Sequence, residues 1–342
     1  MSGSHSWDQS LREFGRARGL IVTVGPVDSG KTTWVASCAR QAADHSVAVV
    51  SADLGQVTFG VPGLLSAARC PAAIDRLTDL PPERMYFVGQ SQPGGRFLQT
   101  IHGILRLAAW ARERAGTVLI DTDGFIAGPA GREYKRILLS SLGPCTALFF
   151  GCHPDLNPLH SWCKSMADIA VYDIDPPDHI RPKSDELRQQ YRLARYRDWF
   201  REALSHSLSL KTNRLLSSLT AIGEPLGEEE LARIRILLGT NPLWAEKSAT
   251  HLNVLTPAPV PSENLRRLRE AYGEYQVSVP PGSQWEGRLI GDFGASGFSS
   301  GMGYITGWRG DPPRLLLRGR FGDSPGETWL VGEESYPGTA GQ

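Results

Sequence analysis

The segment that most constrains the fold of this chain is the glycine-rich run G-P-V-D-S-G-K-T at residues 25–32. A β-branched run at residues 20–24 precedes it, and an alanine-rich stretch without glycine or proline follows at residues 32–43. A buried strand, a glycine loop and a helix in this order form the setting in which such a run binds phosphate. The segment therefore predicts a phosphate-binding loop in an α/β fold, rather than a glycine turn that binds nothing.

The residue types in this loop suit a nucleotide. Gly25 and Gly30 permit backbone angles that place N–H groups around phosphate oxygens, and the N-terminus of the following helix adds partial positive charge. Lys31 would reach the β- and γ-phosphates, and Thr32 would ligate magnesium. The predicted nucleotide-binding residues of the loop are Gly25, Pro26, Val27, Asp28, Ser29, Gly30, Lys31, Thr32 and Thr33.

Strand-like apolar runs alternate with helical stretches along the first part of the chain. The runs lie at residues 20–24, 47–51, 85–88, 117–121, 148–151 and 169–172, with further helices at 96–114 and 131–142. This alternation predicts the parallel sheet of a P-loop NTPase with flanking helices.

Proline and glycine become frequent after about residue 250, which predicts a small β-rich C-terminal domain. Its strand candidates are residues 276–279, 288–293, 303–308 and 314–318. Trp285, Trp308 and Trp329 could stack bases there, but core packing is the favoured interpretation. The residues after Gly332 are expected to be loose. The chain thus divides into an N-terminal extension (1–18), a P-loop domain (19–250) and the C-terminal domain (251–342).

The charge balance and the cysteines limit the possible partners and compartment. The chain has 36 basic and 36 acidic side chains among 342 residues, so any nucleic-acid surface must be local. The chain has five cysteines, an odd number, and they lie in or beside apparent core elements. This indicates reduced thiols in a cytoplasmic protein. We expect no signal peptide and no membrane-spanning segment.

A cluster of Cys152, His153, His160 and Cys163 raises the possibility of a zinc site. The adjacent Cys152 and His153 do not form a knuckle of the C-x₂-C type, and Cys152 directly follows a strand-like run. Packing at the end of a strand is therefore the favoured interpretation.

Two aspartates compete for the catalytic role. Asp53 follows the apolar run that ends at Ala52, and Asp121 ends the run V-L-I-D. Each would stand at the carboxyl end of a strand beside the loop, where a carboxylate can bind magnesium or accept a proton from an attacking hydroxyl. The residues alone do not rank the two.

The order of four motifs resembles that of the polynucleotide 5′-hydroxyl kinases, the RNA kinases of mRNA cleavage, tRNA splicing and pre-ribosomal-RNA processing. The motifs are the loop, D-L-G-Q at 53–56, V-P-G at 61–63 and D-T-D-G-F at 121–125. The resemblance implies that Asp53 is the catalytic aspartate and that Gln56 lies near the metal and phosphates. It aligns Thr122 and Gly124 with the family's N-T-x-G-W, with Phe125 in place of Trp and Asp121 in place of Asn.

A basic segment, K-S-D-E-L-R-Q-Q-Y-R-L-A-R-Y-R-D-W-F at 183–200, resembles the family's R-S-x-x-x-R lid, predicted here at about 181–204. From Arg181 to Arg201 there are seven basic residues against three acidic ones. A helix would present Arg188, Arg192 and Arg195 on one face. The resemblance implies that Lys183 and Arg188 act on the transferring phosphoryl group, with Arg188 dominant because lysine lacks the bidentate fork. A solvated helix whose arginine stems cover the core is the alternative.

Together these features predict an ATP-dependent polynucleotide 5′-hydroxyl kinase acting on RNA or DNA. Asp53, Lys31, Arg188 and Lys183 would be catalytic, and Thr32 and Asp53 would hold Mg²⁺. Arg192, Arg195 and Trp162 are candidates for binding the nucleic acid, although packing explains Trp162 equally well. An ATP-binding interaction protein with weak or no kinase activity is the alternative. A GTPase is disfavoured because no N-K-x-D motif occurs.

Overall fold

The strand that leads into the phosphate-binding loop lies near the middle of a mostly parallel sheet in the computed structural model of the chain. The structure describes residues 5–41, 46–71, 74, 76–151, 153–175, 182–217, 220 and 223–339. By its internal contacts the chain divides into two compact units, residues 1–196 and 197–342.

The first unit contains the predicted α/β sheet. Its strands are β1 (Gly19–Val24), β2 (Val47–Ala52), β3 (Leu64–Cys70), β4 (Arg84–Phe87), β5 (Thr117–Thr122), β6 (Cys145–Phe150) and β7 (Ile169–Ile174). They lie in the order β4-β3-β2-β5-β1-β6-β7. Strands β2, β5, β1, β6 and β7 run parallel, and β3 is antiparallel to both of its neighbours. The predicted mainly parallel sheet is confirmed, and β3 was not predicted because its residues include alanine, serine and arginine.

The helices of the first unit cover this sheet as the alternation predicted. They are α1 (Trp7–Phe14), α2 (Lys31–Gln41), α3 (Phe97–Arg112), α4 (Gly128–Ser141), α5 (Asn157–Ser165) and α6 (Asp185–Phe200), and α6 runs on past residue 196. Strands β2 and β5 are buried along their whole length, as parallel strands covered on both faces are. Their carboxyl ends meet at the edge of the sheet that carries the loop.

Part of the predicted N-terminal extension belongs to this fold. Helix α1 buries Leu11 and Phe14 in a cluster that includes Trp34 of α2. The Trp34 indole donates a hydrogen bond of 2.8 Å to Ser10 Oγ, so the bulky ring satisfies its polar atom as it packs. Helix α1 therefore holds α2, the helix that follows the loop, in position.

The second unit is β-rich. Its strands are β8 (Leu204–Ser209), β9 (Arg214–Leu216), β10 (Glu224–Pro225), β11 (Trp244–Lys247), β12 (His251–Leu255), β13 (Gln276–Ser278), β14 (Arg288–Phe293), β15 (Met302–Arg309), β16 (Arg314–Arg320) and β17 (Thr328–Ser335). They form a sheet β10-β11-β12-β13 and a sheet β8-β16-β15-β14-β17-β9. Helices α7 (Glu228–Leu238) and α8 (Ser262–Ala271) pack on the smaller sheet.

The division at residue 196 differs from the boundary near 250 that composition suggested. Strand β8 pairs with β16, and β9 pairs with β17, so residues 204–216 are held by strands about a hundred positions later. The prediction that the residues after Gly332 are loose is wrong for the end of β17, which continues to Ser335.

The tryptophans of the second unit are mainly core residues, as predicted. Trp285 and Trp329 are fully buried. Trp308 is half-buried, with its ring centroid 5.9 Å from that of Trp285, and its indole donates to Gly282 O at 3.3 Å. Trp285 and Trp329 are therefore not available to stack on bases.

Four of the five cysteines and three members of the possible zinc cluster lie among the described residues. Cys38, Cys70, Cys145 and Cys163 are free, and burial raises the pKa of Cys38 and Cys163 to about 12. Cys152 lies outside the described residues, and so does Arg181 of the lid. Among the other members of the proposed zinc cluster, His160 Nε2 lies 2.9 Å from an oxygen of Asp173 and Cys163 is buried.

No helix in the described part of the chain combines the length and apolar character needed to cross a bilayer.

Candidate functional site

The phosphate-binding loop connects β1 to α2 through backbone conformations that need small or αL-tolerant residues. Gly30 has φ +92° and Asp28 has φ +57°, both in the left-handed region. Gly25 is required for a different reason, because a Cβ there would lie 2.7 Å from Phe150 O and 2.8 Å from Ser29 Oγ. The two glycines thus serve different purposes, and only Gly30 requires the left-handed region.

Lys31 is enclosed by the loop that precedes it. Its Nζ donates to Gly25 O at 2.9 Å, to Pro26 O at 2.5 Å and to Ser29 Oγ at 3.4 Å. Burial lowers the pKa of this ammonium, although nearby Asp121 opposes the shift. Its hydrogen bonds end on neutral oxygens, which anionic phosphate oxygens can replace at a gain.

A cavity of about 270 Å³ opens beside the loop and brings together most of the predicted site. Its lining residues are Val27, Asp28, Ser29, Gly30, Lys31, Thr32, Thr33, Asp53, Gln56, Thr122, Gly124 and Lys183. They come from the ends of β1, β2 and β5 and from the start of the lid. The tertiary structure therefore gathers the D-L-G-Q and D-T-D-G-F motifs around the phosphate-binding loop.

Asp53 stands just past the end of β2 with one oxygen committed to its own turn. Its Oδ1 accepts the backbone N–H of Gly55 at 2.9 Å and that of Gln56 at 2.8 Å. None of the described residues donates a hydrogen bond to Oδ2. Burial, followed by the charge of Asp123, raises the pKa of Asp53, while the two backbone hydrogen bonds lower it. Asp53 therefore lines the cavity with a raised pKa and with one oxygen that accepts no hydrogen bond from the described residues.

Asp121 is the second-last residue of β5, and it is buried and does not line the cavity. Its Oδ2 accepts the Thr58 hydroxyl at 2.7 Å, and its Oδ1 is buried without a hydrogen-bond partner among the described residues. Burial raises its pKa most, and hydrogen bonds from Thr58 and Thr32 oppose the rise. The sequence did not point to Thr58, which lies between the D-L-G-Q and V-P-G motifs.

The oxygen donors at this corner fit a magnesium ion. Thr32 lies close enough to Asp121 to affect its pKa, Asp121 Oδ1 is the unpartnered buried oxygen described above, and Thr32 and Asp53 line the same cavity. Hard oxygen ligands of this kind suit Mg²⁺, which usually completes its coordination with phosphates and water. Within the described ranges no cluster of three or more His, Cys, Asp or Glu side chains could hold a metal, so nucleotide oxygens would be needed.

Thr122 lines the cavity, but its side chain is used within the sheet. Its hydroxyl donates to Thr23 O at 2.6 Å, and its backbone N–H donates to Thr23 Oγ1 at 3.3 Å. Two residues later, a Cβ on Gly124 would lie 2.5 Å from Val27 N. The T-x-G part of this motif therefore locks β5 to β1 and allows the next turn to pack against the phosphate-binding loop.

Sequence reasoning missed a buried ion pair behind that turn. Lys135 Nζ lies 3.1 Å from Asp123 Oδ1 and donates to Asp123 O at 2.9 Å. The Tyr134 hydroxyl donates to Asp123 Oδ2 at 2.9 Å, and the Phe125 N–H donates to Oδ1 at 2.8 Å. Lys135 lies four positions before Leu139 on the buried side of α4, which was the available signal. Both carboxylate oxygens thus have partners, and Asp123 links the turn to α4.

The structure brings Lys183 and Arg188 of the lid to the loop. Asp28 Oδ2 accepts the Lys183 backbone N–H at 2.8 Å and Arg188 Nη2 at 2.5 Å. Tyr191 donates its hydroxyl to Val57 O at 2.8 Å, which anchors the same helix to the residues after D-L-G-Q. Docking of the lid therefore does not depend on Lys183 and Arg188 alone.

The three candidates for nucleic-acid binding lie away from this cavity. Arg195 donates to Thr78 O at 3.3 Å, and its guanidinium lies 5.9 Å from the ring centroid of Tyr191. Arg192 is half-buried on the same helix. Trp162 of α5 lies 5.7 Å from the guanidinium of Arg136 and lines another cavity, of about 380 Å³, between α4 and α5. Their binding role stays a prediction.

Comparisons with known proteins agree with this geometry. A family model described as the mRNA cleavage and polyadenylation factor CLP1 P-loop matches residues 25–202, more than half of the chain. Among solved structures, the wild-type Clp1p–Pcf11p complex has a TM-score of 0.60 at 12% identity, and the match covers 95% of this chain and 77% of that one. At that identity the likeness shows the fold alone.

The curated relatives are archaeal. The chain is 32% identical over 212 residues to a polyribonucleotide 5′-hydroxyl-kinase of Pyrococcus furiosus, covering 61% of this chain and 58% of the relative. It is 26% identical over 230 residues to a protein of the same description from Methanocaldococcus jannaschii, covering 66% and 63%. The chain thus spans less than two thirds of the length of these relatives. With the family model matching over the loop, the D-L-G-Q segment and the lid, the chain belongs to the CLP1 P-loop family.

Proposed function

We propose that this chain is an ATP-dependent polynucleotide 5′-hydroxyl kinase, which transfers the γ-phosphate of ATP to the 5′-hydroxyl end of RNA or DNA. The observation that carries the proposal is the shared cavity, where an oxygen of Asp53 faces the same space as Lys31 and Thr32 of the phosphate-binding loop. A base beside a phosphate-binding loop is the arrangement that phosphoryl transfer to a hydroxyl needs.

The residues divide the chemistry between them. Loop N–H groups and Lys31 bind the triphosphate, and Asp53 accepts the proton of the attacking 5′-hydroxyl. Lys183 and Arg188 stabilise the negative charge on the transferring group. Mg²⁺, when bound, neutralises charge on the β- and γ-phosphates, and Thr32, Asp53 and Asp121 are the residues that would hold it.

For the acceptor, the names of the relatives favour RNA. The curated relatives are described as polyribonucleotide kinases, and the 2′-hydroxyl is the group by which a protein distinguishes RNA from DNA. Arg192, Arg195 and Trp162 are proposed to contact the polynucleotide beyond its reacting end. We also propose a cytoplasmic location, which the four free thiols among the described residues support.

The test is transfer of label from γ-labelled ATP to oligonucleotides of matched RNA and DNA sequence that end in a 5′-hydroxyl. We expect label on the 5′ end, with more on RNA, and none on the same oligonucleotides carrying a 5′-phosphate. Absence of label across a range of pH with magnesium present, while ATP still binds, would refute the kinase. That outcome would favour the alternative of an ATP-binding interaction protein.

A further inference from the structure

The phosphate-binding loop carries one carboxylate, and it contacts the lid. Asp28 Oδ2 accepts both the Lys183 backbone N–H and Arg188 Nη2, which lie 155 and 160 residues further along the chain. A single oxygen atom of the loop therefore holds the two lid residues to which the proposed reaction assigns the transferring phosphoryl group.

The backbone conformation at Asp28 favours glycine, so the presence of a side chain there needs an explanation. Asp28 is the one non-glycine residue in the described part of the chain with a left-handed φ, at +57°. Glycine adopts this conformation without steric penalty, whereas most other residues pay for it, and aspartate and asparagine tolerate it better than the rest. What aspartate adds over glycine here is its carboxylate.

The surroundings of Arg188 show which of its contacts matters. Its side chain is 23% exposed and pairs with Asp28, which is 12% exposed, and with Asp185, which is 92% exposed. The pair with Asp28 is largely shielded from water, whereas exposed pairs such as that with Asp185 contribute little. Asp28 is therefore the partner that fixes the guanidinium.

Arg188 still has donors left for a phosphate. A guanidinium has five N–H donors. The Nε atom of Arg188 is buried without a hydrogen-bond partner among the described residues. Arg188 therefore retains N–H donors that its pairs with Asp28 and Asp185 do not use.

We propose that Asp28 is a positioning residue, whose carboxylate docks the lid on the phosphate-binding loop and fixes the direction of Arg188 before transfer. Preorganised donors stabilise a transition state without reorganisation at the moment of reaction. The kinetic consequence rests on the proposed kinase function, whereas the docking is a property of the nucleotide-free chain.

The first test compares three variants in steady-state kinetics. Asp28→Asn removes the charge and Asp28→Gly removes the carboxylate, and both residue types tolerate the left-handed φ. Asp185→Asn is the matched control, since it removes the exposed charge from the same arginine. We expect kcat to fall on the order of tenfold for Asp28→Asn, and further for Asp28→Gly, with the KM for ATP within about threefold of wild type. Asp185→Asn should change kcat by less than about twofold.

A double-mutant cycle tests whether Asp28 acts through Arg188. In the Arg188→Ala background, Asp28→Asn should lower kcat by less than about twofold, because the arginine that it positions is gone. An equal loss in both backgrounds would overturn the proposal. A rise in kcat or a lower KM for ATP in Asp28→Asn would also overturn it, because the pair would then restrain Arg188.

Hydrogen exchange of the nucleotide-free protein tests the docking without any kinase activity. Amides of residues 183–196 should exchange faster in Asp28→Gly and Asp28→Asn than in the wild type and in Asp185→Asn. Unchanged exchange in both Asp28 variants would refute the docking. An inactive wild type with faster exchange in these variants would refute the kinase proposal and support the docking.

Discussion

Asp121 in the first unit and Asp292 in the second are both 1% exposed, yet their carboxylates differ in how many hydrogen bonds they accept. Asp292 Oδ1 accepts the N–H groups of Ser300 at 2.9 Å and Gly301 at 3.3 Å, and its Oδ2 accepts that of Gly326 at 2.8 Å. Asp121 keeps one oxygen without a partner among the described residues. Burial is common to both, so the unsatisfied oxygen is what separates Asp121, a proposed metal ligand, from Asp292, which holds loops together.

The same contrast applies around the phosphate-binding loop. Asp123 is as fully satisfied as Asp292, through Lys135 and Tyr134, and it supports a turn. Asp53 and Asp121 have oxygens that the fold leaves open. At Asp121 the unpaired oxygen is buried, which costs about 1–3 kcal/mol, a cost that the proposed cation site would explain.

The largest effect is expected at Asp53. Asp53→Asn should lower phosphoryl transfer roughly a thousandfold, within the range for loss of a general base, and leave ATP affinity within about threefold. Labelled-ATP transfer and equilibrium ATP binding measure the two quantities. Asp292→Asn is the control, since it changes an equally buried carboxylate whose role is to hold loops, and it should leave the turnover of the folded protein unchanged. Activity that survived Asp53→Asn and disappeared in Asp121→Asn would transfer the role of base to Asp121.

The next effect is on the free energy of unfolding. Replacing aspartate by asparagine should lower it at Asp292 and raise it at Asp121. Asp292→Asn places an NH₂ group against backbone N–H donors and should destabilise the protein by about 1–3 kcal/mol. Asp121→Asn keeps an acceptor for Thr58 and removes a desolvated charge, so it should stabilise the protein by roughly 1 kcal/mol at neutral pH.

The sign at Asp121 follows from its raised pKa. The folded state binds this proton more tightly than the unfolded state, so that stabilisation is full below the unfolded pKa and is lost as pH rises through the folded pKa. The stability that Asp121→Asn gains over the wild type should therefore shrink as pH falls towards the pKa of Asp121. Thermal unfolding at neutral and acidic pH checks this, and the same sign at both aspartates would break the comparison.

The smallest effect is a displaced limb in the pH profile. Asp53 must be ionised to accept a proton, and burial raises its pKa above the ordinary value of about 3.9. The acid limb of kcat/KM should therefore lie above the pH at which an exposed aspartate titrates. A profile measured in the wild type gives the position of the limb. A limb at the ordinary carboxyl pKa would mean that Asp53 is not the titrating base.

Much of the first unit was predictable because its signals are local. The apolar runs predicted β1, β2 and β5, and the glycine loop predicted where phosphate would bind. The resemblance of D-L-G-Q and of the lid directed attention to Asp53 and Arg188. By contrast, the neighbours that satisfy or orphan each carboxylate left no local signal, as Thr58 and Lys135 illustrate.

The second unit was less predictable for the same reason. Composition predicted a β-rich domain and buried tryptophans, but it placed the boundary near residue 250. Strands β8 and β9 have no strong apolar run of their own and gain their place by pairing with β16 and β17. Long-range pairing, rather than propensity, decided where the unit begins.

By itself the sequence determined the phosphate-binding loop, the parallel sheet around it and the set of acidic and basic residues available for phosphoryl transfer. These depend on backbone conformation and hydrophobic periodicity within a few residues. Only the tertiary structure decided that Thr58 meets Asp121 across 63 positions and that Arg188 meets Asp28 across 160. The reactivity of a buried carboxylate depends on which partners reach each of its oxygens, and those partners come from distant parts of the chain.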